Sequence, residues 1–401
     1  MRPGARGWLR GRLVVAELAL ALVVLMGAGL LMKSFYRMLS VDLGFAPEHV
    51  LTMTFNLTES RYPKPEQKLA FFSEVLRRVA SLPGVRSAAL SDSLPLSPVR
   101  ARLMISPPGF VPPPGSPPGS NMVQMSQMAV STSYFYTLGI PLLKGRTFTD
   151  GDNEQAARVA VVNEALARSL WPGEDPVGKE SPFLLGVNQR MTIVGVVGNT
   201  HHDGPGASVE SEIYVPYLQA VGDYSQLAVR TTGDPTSLTG AIRREVAAID
   251  PEQPLYNVTT LERTFSNSVA PRRFNMLLLG IFAAIALALA TVGIYGVMAF
   301  SVTQRTHEIG IRMALGAERR DVLRLVVRQG LRLTLTGVIF GVAGAWLLTR
   351  FLTGFLYGVR PTDPVTFVLV SLVLIAASTL ASYVPARRAT KVDPMAALRY
   401  E

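Results

Sequence analysis

The chain has 401 residues, enough for two or three folded units, and its content of 48% hydrophobic and 17% charged residues is typical of a membrane protein. The absence of cysteine excludes disulfide-stapled folds, thiolate catalysis and cysteine-ligated zinc or iron–sulfur centres. A net charge of +10 is compatible with binding to nucleic acid, binding to anionic lipid, or a membrane topology signal, and the positions of the charges decide among these.

Four segments are apolar and long enough to cross a hydrocarbon core about 30 Å thick as helices. They are residues 13–32, 275–302, 333–352 and 364–386. The first contains one carboxylate, Glu17, which we expect near the lipid headgroups, reaching Arg10, Arg12 or lipid. A cleaved signal peptide is the alternative for this first segment, although its apolar stretch is longer than usual for one.

Residues 33–274, between the first and second spans, alternate short β-like runs with amphipathic helices, as an α+β domain does. We predict strands at 50–54, 85–91, 122–130, 158–162, 192–197, 212–215 and 226–231. We predict helices at 65–81, 133–138, 164–171 and 236–249. Nine prolines in residues 95–118 indicate an extended or disordered insertion that forms a mobile surface loop.

Two stretches of this domain suggest sites that further inspection does not support. Residues 173–180 match the start of a phosphate-binding loop, but Glu180 stands where the magnesium-binding hydroxyl is needed, and Glu174 and Asp175 would repel phosphate. Residues 201–203, His-His-Asp, lack further ligands at metal spacing, which favours a polar loop. We therefore expect no metal site, no catalytic residues and no enzymatic activity in this chain.

The surplus positive charge lies in three short segments: 1–12, 303–332 and 387–401. Together they carry the whole +10, whereas residues 33–274 hold equal numbers of basic and acidic residues. Short cytoplasmic loops collect Lys and Arg, and long translocated domains do not. This predicts cytoplasmic termini, a cytoplasmic loop 303–332, a large domain outside, and a short outer loop 353–363. Nucleic-acid binding is not expected, because the arginines flank span ends instead of covering a soluble module.

The loop after the second span begins with QRTHEIGIRMALGA, residues 304–317. Ile309 and Met313 fall on one face of a short helix that Gly316 is placed to end. A second amphipathic helix starts near Glu318 and can run directly into the third span. The same pattern suits a helix that docks on a partner protein and one that lies on lipid headgroups, so the pattern alone leaves both open.

These residues resemble the coupling region of the FtsX-like and MacB-like family of ABC transporter permeases. The tail PARRATKVDPMAALRYE is similar to that family's terminus, and VVNEALARSLWPGEDPVGK and TIVGVVGN resemble its periplasmic core. The order of one span, a large outer domain and three further spans also matches. The amino-acid sequences at both ends are most similar to one half of the duplicated permeases common in acidobacteria. This similarity implies that the chain is a stand-alone half that dimerises or a fragment of a longer product.

The resemblance implies a membrane protein of four transmembrane helices, arranged 1+3 around a MacB-like α+β core, in the bacterial inner (cell) membrane. A separate cytoplasmic ABC ATPase dimer would bind ATP and magnesium and push on this chain, which would itself hold no cofactor. The residues expected to couple to it are Arg305, Glu308, Ile309, Gly310, Ile311, Arg312, Leu315 and Gly316.

The partners expected from the resemblance are that ATPase, a second permease half as a homodimer or fused first half, and a periplasmic adaptor. The expected function is extrusion of a peptide, drug or lipoprotein. The alternative is a mechanotransmitting subunit that controls a periplasmic cell-wall hydrolase or sensor without moving a substrate.

Overall fold

The chain divides into two units in the computed structural model, which describes residues 3–105, 123–181, 190–314 and 318–390. The sheet unit is Val41–Ala270, and the helical unit combines Met1–Ser40 with Pro271–Glu401. In the described residues the α-helices are α1 (Pro3–Leu39), α2 (Pro65–Ala80), α3 (Tyr134–Leu138), α4 (Glu164–Leu170), α5 (Thr239–Ile249), α6 (Leu261–Gln304), α7 (Thr306–Ala314), α8 (Arg319–Leu348) and α9 (Pro364–Ala389).

The sheet unit is built on one mixed sheet of ten described strands. These are β1 (Val50–Asn56), β2 (Val85–Ser91), β3 (Ala101–Ile105), β4 (Val123–Val130), β5 (Leu142–Gly145), β6 (Val159–Asn163), β7 (Thr192–Val197), β8 (Ser211–Pro216), β9 (Tyr224–Thr231) and β10 (Tyr256–Thr260). The strand order is β10-β1-β9-β2-β4-β8-β6-β7-β5, and β3 pairs with β4 off this path. The pairs β4–β8 and β6–β7 are parallel, whereas the others are antiparallel.

Apolar side chains cover both faces of the sheet, so its inner strands contribute to two cores. Along β1, Leu51, Met53 and Phe55 point into one core, while Val50 points into the other. This alternation follows from the two-residue period of a strand. On the first face Phe55 meets Phe72 of α2 edge to face, with ring centroids 5.8 Å apart. Two cores of this size explain how the unit folds without disulfides.

All seven predicted strands are present with small shifts at their ends, which confirms the α+β class. The predicted helices are present too, except that the segment predicted at 236–249 begins as a 3-10 turn, Pro235–Leu238, before α5. The prediction for residues 95–118 is wrong in its first part. Strand β3 lies within that segment and pairs with β4, from Ala101 opposite Gln127 to Ile105 opposite Val123. The remainder, from residue 106 onwards, lies outside the described residues.

The helical unit contains four helices whose length and composition allow them to cross a membrane: α1, α6, α8 and α9. Their shared core includes Leu18, Leu22 and Met26 of α1, Ile294 of α6 and Leu374 of α9. At one end Lys33 Nζ of α1 lies 2.7 Å from Asp363 Oδ2, and Asp363 also caps α9 by accepting from Thr366 N at 3.0 Å. Beyond α8 the chain continues as a 3-10 helix, Thr349–Phe355.

Glu17 of α1 lies beside α6. Its carboxylate lies directly against Gly293 of α6, where a Cβ atom would overlap it. The partly exposed side chain of Glu17 therefore contacts a neighbouring helix of the same unit. The glycine at position 293 is what allows the carboxylate to approach the α6 backbone so closely.

Candidate coupling site

Helix α7 follows α6 after a single turn residue, Arg305, and α8 begins a few residues beyond it. The backbone N–H of Ile309 donates to the carbonyl of Arg305 at 2.9 Å, which ties the first turn of α7 to the end of α6. At the start of α8 the N–H of Glu318 donates to Asp321 Oδ2 at 3.2 Å, and this satisfies one backbone donor near the helix end. α7 is therefore held between two long helices of the same chain.

The contact that fixes α7 is apolar. Ile309 of α7 and Val322 of α8 are 4% and 5% exposed and form one small cluster, with Val302 and Met313 packed at its edge. Ile309 and Met313 share a face because residues four apart in a helix are neighbours. The contact between Ile309 and Val322 therefore packs α7 directly against α8.

The opposite side of α7 is exposed and charged. Ile311 is 39% exposed, and beside it Arg312 Nη2 pairs with Glu308 Oε1 at 2.7 Å, both side chains being about half exposed. Arg305, just before α7, is also exposed and donates through Nη1 to Gln329 Oε1 of α8 at 3.4 Å. The exposed surface thus presents one isoleucine among three charged groups.

The eight predicted coupling residues do not form one surface. The structure brings Arg305, Glu308, Ile311 and Arg312 to the exterior but buries Ile309, because residues two apart point about 200° apart around a helix. Ile309 and Ile311, both among the residues expected to couple to the ATPase, therefore lie on different sides of α7. Gly310 lies within α7, while Leu315 and Gly316 lie outside the described residues.

The packing of α8 supplies a feature that sequence reasoning missed. Small residues line its buried face, and Cβ atoms added at Gly337 and Gly341 would lie 2.7 Å from Leu18 Cβ and 2.8 Å from Leu22 Cδ2 of α1. Gly330 makes a similarly close contact with Ser382 of α9. The sequence signal for such close helix packing is a set of small residues four and seven positions apart on an apolar helix. We call the contact of Gly337 and Gly341 with α1 the α8 seam. The absence of side chains there lets α1 and α8 meet at backbone distance.

The segment that resembles a phosphate-binding loop is a turn pinned to β7. Gly178 N donates to the carbonyl of Ile193 and Ile193 N donates to that of Lys179, each at 2.8 Å. Gly178 has φ +85°, a left-handed conformation that favours glycine, and the Lys179 ammonium pairs with Glu174. With its backbone donor and its lysine both engaged inside the protein, the segment is not arranged to hold phosphate.

The three residues of the His-His-Asp stretch turn to different partners. His201 Nδ1 lies 3.1 Å from the carbonyl of Ala207, Asp203 pairs with Arg100, and His202 points into the core. Residues 201–203 form a loop, as predicted, but His202 is buried within it, at 3% exposed. In the parts of the chain that the structure describes, no three His, Cys, Asp or Glu side chains converge as a metal-binding group.

His202 adjoins a buried carboxylate that the sequence did not reveal. Its Nε2 lies 3.3 Å from Oε1 of Glu212, which accepts hydrogen bonds from Tyr214 Oη at 2.6 Å and Thr200 Oγ1 at 2.8 Å. Burial raises the pKa of Glu212 to about 7. Burial, aided by the positive charge of Arg100, lowers the pKa of His202 to about 3, so this imidazole is neutral at physiological pH.

Curated relatives of this chain are export proteins. The chain is 28% identical over 297 residues to the pyoverdine export ATP-binding/permease protein PvdT of Pseudomonas putida, covering 71% of this chain and 44% of the relative. It is 28% identical over 296 residues to the macrolide export ATP-binding/permease protein MacB of Wolinella succinogenes, covering 71% and 45%. This chain thus spans less than half the length of these relatives.

Among solved structures, the periplasmic region of MacB from Actinobacillus actinomycetemcomitans aligns with 57% of this chain and 95% of its own length, at 13% identity and a TM-score of 0.37. Two family models match the sequence itself. The model of the MacB-like periplasmic core domain matches residues 15–249, more than half of the chain, and that of the FtsX-like permease C-terminal region matches residues 280–394. The chain therefore belongs to the family of membrane permeases that join a MacB-like periplasmic core domain to an FtsX-like C-terminal region.

Proposed function

We propose that this chain is the permease subunit of an ABC exporter, driven by a separate cytoplasmic ATPase dimer that docks on α7. The observation that carries the proposal is the buried contact between Ile309 and Val322, because it joins a short surface helix to a 30-residue helix that enters the membrane. A force applied to α7 would then displace α8, which is about 45 Å long.

The docking surface is the exposed side of α7. Ile311 would enter an apolar groove of the ATPase, while Glu308 and Arg312 would fix the register through charge complementarity. Gly310, with no side chain, would allow the partner's backbone to approach closely. In this arrangement Ile309 has a different role from Ile311: it holds α7 on α8.

The α8 seam would carry the motion onward. Gly337 and Gly341 hold α8 against α1 at backbone distance, and α1 leads directly into the sheet unit. α6 is likewise one continuous helix from the sheet unit into the membrane. ATP-driven displacement of α7 would therefore reach the outer domain through two covalent connections. This requires the termini and α7 to be cytoplasmic and the sheet unit to be outside, as the arginine distribution predicts.

Export is supported by the names of the relatives, which specify export of pyoverdine or macrolides. We propose an exported peptide, drug or lipoprotein as the substrate class. The ATP-binding function named in those relatives would be supplied here by the partner ATPase, which would also hold the magnesium. A second permease half, as a homodimer or a fused half, would complete the membrane portion, and a periplasmic adaptor would extend it outward.

The docking role is tested by Ile311→Asp, with Leu325→Asp on α8 as its control, because the two side chains are 39% and 38% exposed. Each variant is expressed in the native host and purified in detergent, and captured ATPase is quantified by mass spectrometry and by ATP hydrolysis. We expect Ile311→Asp to lose most of the ATPase and the control to retain it. Equal retention by the two variants would refute docking through α7.

Export is tested separately from docking. Cells or inverted vesicles carrying the complex are loaded with a labelled macrolide or siderophore, and ATP-dependent transport is compared between wild type and Ile311→Asp. Loss of transport in the variant supports an exporter. Capture of a cell-wall hydrolase by the outer domain, with no transport of any tested compound, would support the mechanotransmitting alternative instead.

A further inference from the structure

A groove with an apolar floor and a basic rim runs along the first part of α8, and we name it the arginine groove. Its lining includes Leu323, Val327 and Leu331 on one stripe and Arg320, Arg324 and Arg328 on the next. Both stripes repeat every four residues, so each forms a continuous row along the helix. The three apolar side chains are half-buried and the three arginines are exposed.

Three arginines of this groove have no ion-pair partner within the part of the chain that the structure describes. No ion pair or hydrogen bond joins the guanidinium groups of Arg320, Arg324 and Arg328 to any other residue that the structure describes. By contrast, Arg312 on the neighbouring α7 is paired with Glu308. Three unpaired guanidinium groups in one row repel one another and attract an anion that can contact more than one of them.

The groove lies at the level where the membrane spans end. Gly330 of α8 contacts Ser382 of α9, and two helical turns further along α9 Thr390 lines the same groove. The last turn of α9 carries Arg387 and Arg388, which mark the end of the fourth span. The end of the groove at Arg328 and Leu331 is therefore level with the end of the fourth span, and the end at Arg320 and Leu323 lies further from the hydrocarbon layer.

We propose that the arginine groove binds an anionic phospholipid of the membrane leaflet, such as phosphatidylglycerol. The phosphate would accept hydrogen bonds from two of the guanidinium groups. The part of an acyl chain next to the headgroup would lie over Val327 and Leu331. A soluble phosphate fits the rim but leaves the apolar stripe exposed. The combination of apolar floor and basic rim is what identifies a lipid.

Other occupants fit the charge less well. The 11 residues after Thr390 contain two basic and two acidic side chains, so as a segment they cannot neutralise the row of arginines. A second copy of this chain meeting the groove in a symmetric contact would place arginine against arginine, which is repulsive. An anionic lipid satisfies both the charge and the position.

The test is native mass spectrometry of the purified full chain in detergent, titrated with dioleoyl phosphatidylglycerol or dioleoyl phosphatidylcholine. The test variant replaces Arg320, Arg324 and Arg328 with glutamine. The control replaces three exposed arginines of the sheet unit, Arg86, Arg243 and Arg244, with glutamine, which changes the net charge equally. We expect wild type and control to retain phosphatidylglycerol preferentially, and the test variant to lose affinity by about fivefold per arginine removed.

Three results would overturn the proposal: equal retention of the two lipids by wild type, unchanged retention of phosphatidylglycerol in the test variant, or complete displacement of the lipid by millimolar glycerol 3-phosphate. The last would indicate a site for soluble phosphate. A loss of dimer or of ATPase capture in the test variant, with lipid retention unchanged, would identify a protein interface instead. If the triple variant unfolds, the single variant Arg324→Gln is compared with Arg86→Gln. We expect Arg324→Gln to lose about fivefold in affinity for phosphatidylglycerol.

Discussion

Replacing Gly337 and Gly341 together with alanine should destabilise the contact between α1 and α8. The added methyl groups would lie 2.7 Å from Leu18 Cβ and 2.8 Å from Leu22 Cδ2, about 1 Å inside an ordinary carbon–carbon contact. The Cβ atom of Leu18 cannot swing away without movement of the α1 backbone. Extra methyl groups in a packed interior cost about 1–3 kcal/mol, and the better helix propensity of alanine offsets about 1 kcal/mol per site.

The two overlaps together cost about 2–6 kcal/mol and the helix propensity of two alanines offsets about 2 kcal/mol, so we expect a net loss of about 2 kcal/mol, and at most about 4 kcal/mol, for the pair. Thermal unfolding in nanodiscs, followed by helical circular dichroism, should show a midpoint lowered by several degrees. The matched control is Gly296→Ala in α6, where a Cβ atom meets nothing within 4 Å. An unchanged or raised midpoint in the double variant would refute the close α1–α8 seam.

Three further predictions concern other buried or paired groups. The pKa of Glu212 rises from 4.5 to about 7 on folding. Its favourable contribution to the free energy of unfolding is therefore fully present below pH 4.5 and is lost as the pH rises to 7. Glu212→Gln should therefore gain stability relative to wild type across that window, by at most about 3 kcal/mol in urea unfolding; a pH-independent difference would contradict this. Ile309→Asp should detach α7 from α8, and limited proteolysis within 303–318 should become faster, whereas unchanged proteolysis would argue against the contact with Val322. Asp363→Asn should lose the pairing with Lys33 but keep the α9 cap, and Asp363→Ala should cost about 1 kcal/mol more in thermal unfolding; equal losses would show that the cap contributes nothing.

The central strands of the sheet could be predicted from sequence because they are buried on both faces and rich in β-branched residues, as β6 is with its three valines. The edge strands could not. β5 is four residues long and fully exposed, and β10 has no fully buried residue, so neither shows an alternating pattern. β3 was hidden by the prolines on either side of it, although the strand itself, Ala101–Ile105, contains none.

The coupling helix was predicted as an element, but the orientation of its side chains was not. The helical period places Ile309 and Met313 on one face, yet only the return of α8 shows that Val322 covers that face. The buried position of Glu212 was equally hidden, because its partners Thr200 and His202 come from a loop preceding β8. The hydrophobic periodicity of a segment predicts its secondary structure, whereas the burial of its side chains depends on contacts with residues distant in sequence.

The account depends most directly on α7 and the sheet unit lying on opposite sides of the membrane. The chain has no cysteine, so single cysteines can be introduced at exposed positions without background: Gln304→Cys beside α7 and Glu154→Cys in the sheet unit. A membrane-impermeant maleimide added to intact spheroplasts should label Cys at position 154 and leave position 304 unlabelled until the membrane is permeabilised. Labelling of position 304 in intact spheroplasts, with position 154 protected, would contradict the proposed docking of a cytoplasmic ATPase on α7.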